Sequence, residues 1–307
     1  MNENAYRGPV VVGIDGTPAG LEALALGRVL AETLGAPLVL GAIFGYEASD
    51  FGEIVWPTAR DADGWLAEAE RRLRDSVAWT SVTHCAPTRA HGLVDLAERE
   101  EAGIVVLGSS RRASLGRVLA GSTARRVVNG APCAVAVAPR DFRPGDGLQR
   151  IGAAFLDVPE AHQALAFAAD LADRPGASLR AITVVYQPSP AHPMFAATGS
   201  TYVGWRVSRR QDAEWRALRA LRELGRGLGA EAVVLEGDPV ERLSEASEGL
   251  DLLVVGSRRY GPLRSALLGG VSGPLIEQAA CPVLVVPRGI QVGAGSPEPA
   301  AAAGEPA

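Results

Sequence analysis

The chain has 307 residues, of which 21% are charged, and its net charge is −5. It contains no lysine, so all 30 basic residues are arginine. A chain of this length can form two domains of ordinary size, each with its own core. The mildly negative charge gives no general attraction to nucleic acid or anionic lipid, and the lack of lysine excludes both a Walker-type phosphate loop and a Schiff-base lysine.

In the first half, short apolar runs alternate with longer stretches of helical period, which is typical of a parallel sheet whose strands are joined by helices. We predict strands at 9–14, 37–43, 77–84, 103–107 and 133–138. We predict helices at 18–34, 58–76, 90–101 and 122–130. Strands that are continuously rich in valine and leucine favour a sheet covered on both faces.

The second half repeats this pattern, with strands predicted at 149–155, 178–185, 230–235, 251–255 and 282–286. The stretch EEAGIVVLGSSRR matches EGLDLLVVGSRRY 148 residues later, and NGAPCAVAVAPR matches EQAACPVLVVPR at the same offset. Near the start of each half the offset is 141. The two halves are therefore copies of one α/β domain.

The composition of the connecting segments predicts the domain limits. We expect a first domain over 1–140, a linker rich in proline, glycine and charge over 141–150, a second domain over 151–288 and a disordered tail over 289–307. The N-terminus lacks the features of a signal peptide, and no apolar run approaches the roughly 20 residues of a membrane span. The three cysteines form no CxxC pair, which favours a reducing compartment. We therefore expect a cytoplasmic protein with neither a membrane nor a nucleic-acid partner.

Polar residues and glycines follow the strands of the first half where helices begin. Ligands of doubly wound sheets gather beyond the carboxyl ends of the strands, and the N-terminus of a helix favours anions. We therefore expect one crevice there, large enough for a nucleotide. Its predicted lining is Asp15, Gly16, Thr17, Ile43, Gly108, Arg111, Gly121, Ser122 and Thr123.

The repeated pattern resembles the universal stress protein family, whose nucleotide-binding members carry glycine, two residues, glycine, nine residues, glycine and then serine or threonine between the fourth strand and the fourth helix. Gly108, Gly121 and Ser122 fall on this motif, but Arg111 occupies the place of the second glycine. In the second half Arg259 stands at that place, and Gly270 replaces the hydroxyl residue.

The resemblance implies two tandem doubly wound domains, each with a five-stranded parallel sheet flanked by helices. It also implies a non-catalytic regulatory or stress-response role and binding of ATP, with or without magnesium, chiefly in the first domain. The last strands of the halves would pair as an internal dimer that can dimerise again. By the same resemblance Gly108 and residues 121–123 would face phosphate, Asp15 the ribose or magnesium, and Ile43 the adenine.

Several alternatives stay open. Arg111 could block the phosphate position or hold phosphate with its guanidinium. Ser122 could simply cap its helix, and Asp15 could simply be a turn residue. Without gaps Asp15 aligns with Leu156, which leaves Asp157 one place late and predicts a weaker second site. The whole chain could instead be an interaction module with degraded pockets, signalling through its surface and a loop at 186–204, or a weak ATPase.

Overall fold

The computed structural model describes residues 8–45, 57–73, 77–110, 112–145, 147–187, 202–225, 229–257 and 270–287. The half that we call domain 1 contains β1 (Val10–Ile14), α1 (Pro18–Leu34), β2 (Leu38–Phe44), α2 (Ala59–Glu70), β3 (Trp79–Cys85), α3 (Arg89–Arg99), β4 (Ile104–Gly108), α4 (Ser122–Gly130) and β5 (Ala134–Ala138). The half that we call domain 2 contains β6 (Arg150–Ala154), α5 (Pro159–Ala172), β7 (Ser178–Val185), α6 (Tyr202–Glu223), β8 (Gly229–Glu236), α7 (Pro239–Ala246), β9 (Leu252–Ser257), α8 (Ser272–Gln278) and β10 (Val283–Pro287).

The ten described strands form one sheet in the order β3-β2-β1-β4-β5-β10-β9-β6-β7-β8. Within each domain neighbouring strands are parallel, and the central pair β5 and β10 is antiparallel, with Ala136 opposite Leu284. The expected pair of five-stranded parallel sheets is confirmed, and so is the pairing of the last strands of the two halves.

Helices cover both faces of the sheet. Val10 and Val12 of β1 pack with α1 and α2 on one face, and Val11 packs with α3 and α4 on the other. All three valines are fully buried. Successive side chains of a strand point to opposite faces, so a strand buried on both faces must be apolar throughout. Across the described ranges, each helix is too short or too polar to cross a membrane.

Three sequence predictions differ from the structure or lie outside it. Helix α2 ends at Glu70, six residues before its predicted end, because the N–H groups of Arg72 and Leu73 donate to carbonyls three residues back in place of four. The irregular connection predicted at 186–204 is wrong at its end, since α6 begins at Tyr202; residues 188–201 and the tail at 289–307 lie outside the described residues. Only Ala217 and Ala220 of α6 are buried. The helix therefore shows little of the apolar periodicity by which its first residue could have been predicted.

Asp251 fixes the start of β6 from the neighbouring strand β9. Its Oδ2 accepts hydrogen bonds from the backbone N–H groups of Gln149 at 3.0 Å and Arg150 at 2.8 Å, and its Oδ1 accepts one from the Arg150 guanidinium at 2.8 Å. Burial raises the pKa of this carboxyl, but the hydrogen bonds from Arg150 and Gln149 outweigh the burial and hold the pKa below its usual value.

We expect Asp251→Ala to lower the free energy of unfolding by about 1–2 kcal/mol at neutral pH, because two backbone amides and one guanidinium lose their acceptor. Urea denaturation measures this difference. A carboxyl with a lowered folded-state pKa stabilises the fold above its unfolded pKa and loses that effect as the pH falls through the folded pKa. The difference between wild type and variant should therefore shrink in acid. Asp63→Ala on the exposed face of α2 is the control, and an equal effect of both changes would contradict this anchor.

Candidate functional site

A cavity of about 340 Å³ opens in domain 1 at the carboxyl ends of β1, β2 and β4. Its volume lies within the range of about 300–1,000 Å³ that is usual for small-molecule sites. Seven of the predicted residues line it, namely Asp15, Thr17, Ile43, Gly108, Gly121, Ser122 and Thr123. Gly16 is not part of its lining, and Arg111 lies outside the described residues.

The first turn of α4 forms one wall of this cavity and has no side-chain cap. The other three described helices of domain 1 are capped by threonine hydroxyls, from Thr17 on α1, Thr58 on α2 and Thr88 on α3. Helix α4 has Gly121 at its N-cap, and no side chain there accepts a hydrogen bond from the first turn. The hypothesis that Ser122 caps α4 is therefore wrong, because Ser122 is already the first helical residue. Backbone N–H groups at this end are left for an external acceptor.

Neither the backbone conformation at Gly121 nor its packing against described residues requires a glycine. Its φ of −69° and ψ of 176° are open to any residue. Among the described residues, a Cβ built on Gly121 would meet one atom within 4 Å, the Cβ of Ser110 at 3.7 Å, which is an ordinary contact. The described residues around it do not require a glycine, and its lack of a side chain leaves space on the cavity wall in front of the helix.

At position 108, packing alone requires a glycine, whether or not a ligand is bound. A Cβ at this position would lie 2.0 Å from the carbonyl oxygen of Ala19 and 2.6 Å from its carbonyl carbon. The end of β4 therefore touches the backbone of the first turn of α1. This contact draws the turn that carries Asp15 towards the residues that follow β4.

Asp15 is both a turn residue and a charged group of the cavity. Its Oδ1 accepts hydrogen bonds from the backbone N–H of Thr17 at 3.1 Å and from the Thr17 hydroxyl at 2.6 Å. Its Oδ2 lies 3.3 Å from the Arg89 guanidinium, and its side chain is still 31% exposed. Gly16 has a φ of +69° and packs under the Trp65 ring, so it shapes the turn while Asp15 faces the cavity.

The sequence analysis missed Arg89. It is the first residue of α3, it lines the cavity, and its guanidinium lies 6.0 Å from the centroid of the Trp65 ring. Its side chain is 40% exposed, so it can contact both Asp15 and a bound molecule. The sequence held one indication of its role: Arg89 follows the third strand and the capping Thr88, at the edge of the sheet where ligands bind.

The loop between β4 and α4 is fastened to domain 2. Within domain 1, the N–H of Ser110 donates to the carbonyl of Leu119 at 2.8 Å. The N–H groups of Val118 and Ala120 donate at 2.8 Å to carbonyls of Ala279 and Ile276 in domain 2. The position of Gly121, next in the chain, therefore depends on the pairing of the two domains.

The corresponding region of domain 2 lacks most of these features. Leu156, at the position of Asp15, is 55% exposed, and Val158 replaces the capping Thr17. Helix α8 begins at Ser272, two residues later than its counterpart in domain 1, with Val271 at its N-cap in helical conformation. Gly269, Arg258 and Arg259 lie outside the described residues. Within the described part of the chain, no group of three His, Cys, Asp or Glu side chains is placed to hold a metal ion.

Comparison with known proteins identifies the fold. The universal stress protein family model matches residues 7–139 and again residues 147–287. The chain belongs to the universal stress protein family. Universal stress protein Rv2319c of Mycobacterium tuberculosis is 30% identical over 239 residues, which cover 75% of this chain and 78% of that relative.

Two solved structures share the tandem architecture. A universal stress protein from Archaeoglobus fulgidus aligns with a TM-score of 0.65 and 15% identity, over 94% of this chain and all of that one. A protein from Pseudomonas aeruginosa PAO1 aligns with a TM-score of 0.65 and 17% identity, over 94% of this chain and 95% of its own. At these identities the likeness shows a common fold for this universal stress protein.

Proposed function

We propose that this universal stress protein binds ATP or a related adenine nucleotide in the cavity of domain 1 and acts as a non-catalytic regulatory protein of the stress response in the cytoplasm. The observation that carries the proposal is the uncapped, glycine-preceded first turn of α4 in the cavity wall. The three neighbouring described helices supply their own acceptor, whereas α4 leaves its donors for an anion.

The residues of the cavity fit the three parts of a nucleotide. The backbone N–H groups of Ser122 and Thr123 face the phosphates, favoured by the positive end of the helix dipole. The carboxylate of Asp15 accepts hydrogen bonds from the ribose hydroxyls. Ile43, 4% exposed, belongs to the apolar wall on which the adenine packs.

Two charged groups adapt the site to a polyanion. Arg89 offsets the negative charge of Asp15, which would otherwise repel phosphate. Magnesium would arrive with the triphosphate, because a single carboxylate already paired with an arginine is a poor ligand set for that ion. The cavity supplies binding and orientation, and no general base is assigned.

The direct test is mass spectrometry of small molecules released when the purified full-length protein is denatured, together with calorimetry on adding ATP and magnesium. We expect released adenine nucleotide, or heat of binding in protein freed of it. Absence of both would overturn the proposal and favour an interaction module. Steady phosphate release that Asp15→Ala abolishes would favour the weak ATPase.

We expect Asp15→Ala to weaken ATP binding by about five- to ten-fold, since one hydrogen-bond acceptor to the ribose is lost. Calorimetry measures the change in Kd. The control is again Asp63→Ala, which keeps the same net charge as Asp15→Ala and lies outside the cavity. Circular dichroism checks that the variant keeps the overall secondary structure of the wild type. Equal affinities for the two variants would contradict the role of Asp15.

A further inference from the structure

A second cavity, of about 490 Å³, lies in domain 2 between α6 and the carboxyl ends of β6 and β7. Thr183 and Val185 of β7 face it together with Phe155, on the side of the sheet covered by α5 and α6. Trp205 of α6 forms part of the opposite wall. Phe155 corresponds to Ile14 of the domain 1 cavity, but the other named residues lie on the α6 side of the sheet, away from the counterpart of α4.

In domain 1 the equivalent space is filled by two aromatic rings. Pairing of β2 with β3 and of β7 with β8 makes Trp79 equivalent to Ala230, an offset of 151. The buried residues Ala69 of α2 and Ala220 of α6 show the same offset.

By this offset Arg216 stands where domain 1 has Trp65. Strands β2 and β7 are offset by 141 residues, so Val185 stands where domain 1 has Phe44. Phe44 and Trp65 pack on the core of domain 1. Replacement of both rings, one by a shorter residue and one by a polar residue, opens the cavity in domain 2.

The floor of this cavity carries a hydroxyl without a partner. Thr183 is 5% exposed, and its Oγ1 has no hydrogen-bond partner among the described residues. The equivalent residue of domain 1 is Ala42, so the fold does not require a hydroxyl at this position. Buried polar groups are rarely left unpaired, so this hydroxyl can pair with a polar atom of a molecule bound in the cavity.

Two arginines stand on the α6 side of the cavity. Arg209 lies over the Trp205 ring at 5.8 Å from its centroid, and Arg216 occupies the former tryptophan position. Neither makes an ion pair or hydrogen bond within the described ranges. Asp212 is also part of the lining, as is Asp157.

Asp157 has a hydrogen-bond partner in domain 2. His162 Nε2 lies 2.9 Å from Asp157 Oδ1, and this hydrogen bond holds the pKa of Asp157 below its usual value. The charges of Arg216 and Arg219 act in the same direction. The lining therefore carries two guanidinium groups and two carboxylates, and a carboxylate ligand would be held by direct pairing with the arginines and not by an excess of positive charge.

We propose that the cavity of domain 2 binds a compact organic carboxylate with a flat apolar body. The body packs between Phe155, Val185 and Trp205, and the carboxylate pairs with Arg209 and Arg216. The Thr183 hydroxyl bonds a polar atom of the body, such as a ring N–H. This site is separate from the nucleotide cavity and does not depend on the function proposed for it.

The test is calorimetry of the full-length protein with indole-3-acetate, compared with tryptamine, which carries an ammonium in place of the carboxylate. We expect indole-3-acetate to bind with a Kd in the millimolar range or below, and tryptamine to bind at least about ten-fold more weakly, because the charge-assisted hydrogen bonds to arginine are absent. Absence of indole-3-acetate binding at millimolar concentration, or a preference for tryptamine, would overturn the proposal.

Variants locate the site. Thr183→Val should weaken indole-3-acetate binding by about five-fold through loss of one hydrogen bond, and Arg216→Gln by about ten-fold through loss of a charged one. The double change Val185→Phe and Arg216→Trp, which restores the rings of domain 1, should abolish binding. Arg60→Gln on the exposed surface of α2 is the control.

ATP binding to domain 1 should be the same in all these variants. If the double variant does not fold, the affinities of Thr183→Val and Arg216→Gln for indole-3-acetate test the proposed site. Wild-type affinity for indole-3-acetate in both single variants would show that the molecule binds elsewhere, and the proposal would fail.

Discussion

Gly108→Ala is expected to lower the free energy of unfolding by about 3 kcal/mol or more, at the upper end of what overpacking costs. The added methyl group would lie 2.0 Å from the carbonyl oxygen of Ala19 and 2.9 Å from its Cα. Both atoms belong to backbone in the first turn of α1, so no side-chain rotation can relieve the clash. Urea denaturation followed by circular dichroism measures the loss.

Two further glycine variants control this experiment. Gly256 is the domain 2 counterpart of Gly108, and its added Cβ would lie 2.5 Å from the carbonyl oxygen of Glu160, so Gly256→Ala should cause a comparable loss. Gly121→Ala should change stability by no more than about 0.5 kcal/mol, since its Cβ has an open position. Wild-type stability for Gly108→Ala would contradict the close contact between β4 and α1.

This contact changes how the glycine motif should be interpreted. Gly108 and Gly256 both stand at its first position, and both are required by the packing of a strand on a helix. Their presence in the two halves therefore reports the fold and carries no information about phosphate. Gly121 is different, because the fold imposes no such demand there, and its absent side chain matters to the cavity alone.

Much of the fold could be predicted because local patterns specify it. The predicted limits of α1, α4 and β7 equal those in the structure. Both ends of every other described strand lie within two residues of the predicted limits. Continuous apolar strands between amphipathic helices leave few alternatives to a sheet covered on both faces. The internal repeat then predicted two copies, and the resemblance predicted that their last strands pair.

The rest of the site depends on contacts that sequence patterns do not encode. Arg89 meets Asp15 across 74 positions of the chain, which no local spacing indicates. Helix α6 is offset from α2 by 151 residues, whereas β7 is offset from β2 by 141, so the change from Trp65 to Arg216 that opens the cavity of domain 2 is hidden in an ungapped comparison. Ser122 was a reasonable N-cap by residue type, but the helix begins one residue earlier than that role requires.

Gly121→Val is expected to weaken ATP binding by about 100-fold or more while the fold is retained. The branched side chain would project from the N-cap of α4 beside Ser110, in the cavity wall, and would cover the first-turn N–H groups. Loss of two hydrogen bonds to charged phosphate oxygens accounts for a reduction of that size. Calorimetry with ATP and magnesium measures it, and the cost to stability should not exceed about 1 kcal/mol, the usual cost of a poor N-cap residue.

The graded series at this position separates blocking of the cavity from damage to the helix. Gly121→Ala adds a single methyl group and should weaken ATP binding less than valine does, whereas both changes remove the glycine from the N-cap. Binding of indole-3-acetate to domain 2, where it occurs, should be the same in both variants and shows that the second domain is intact. A valine at this position would leave two charge-assisted hydrogen bonds to phosphate unformed. If Gly121→Val nevertheless binds ATP with a Kd within about three-fold of wild type, phosphate does not approach the first turn of α4.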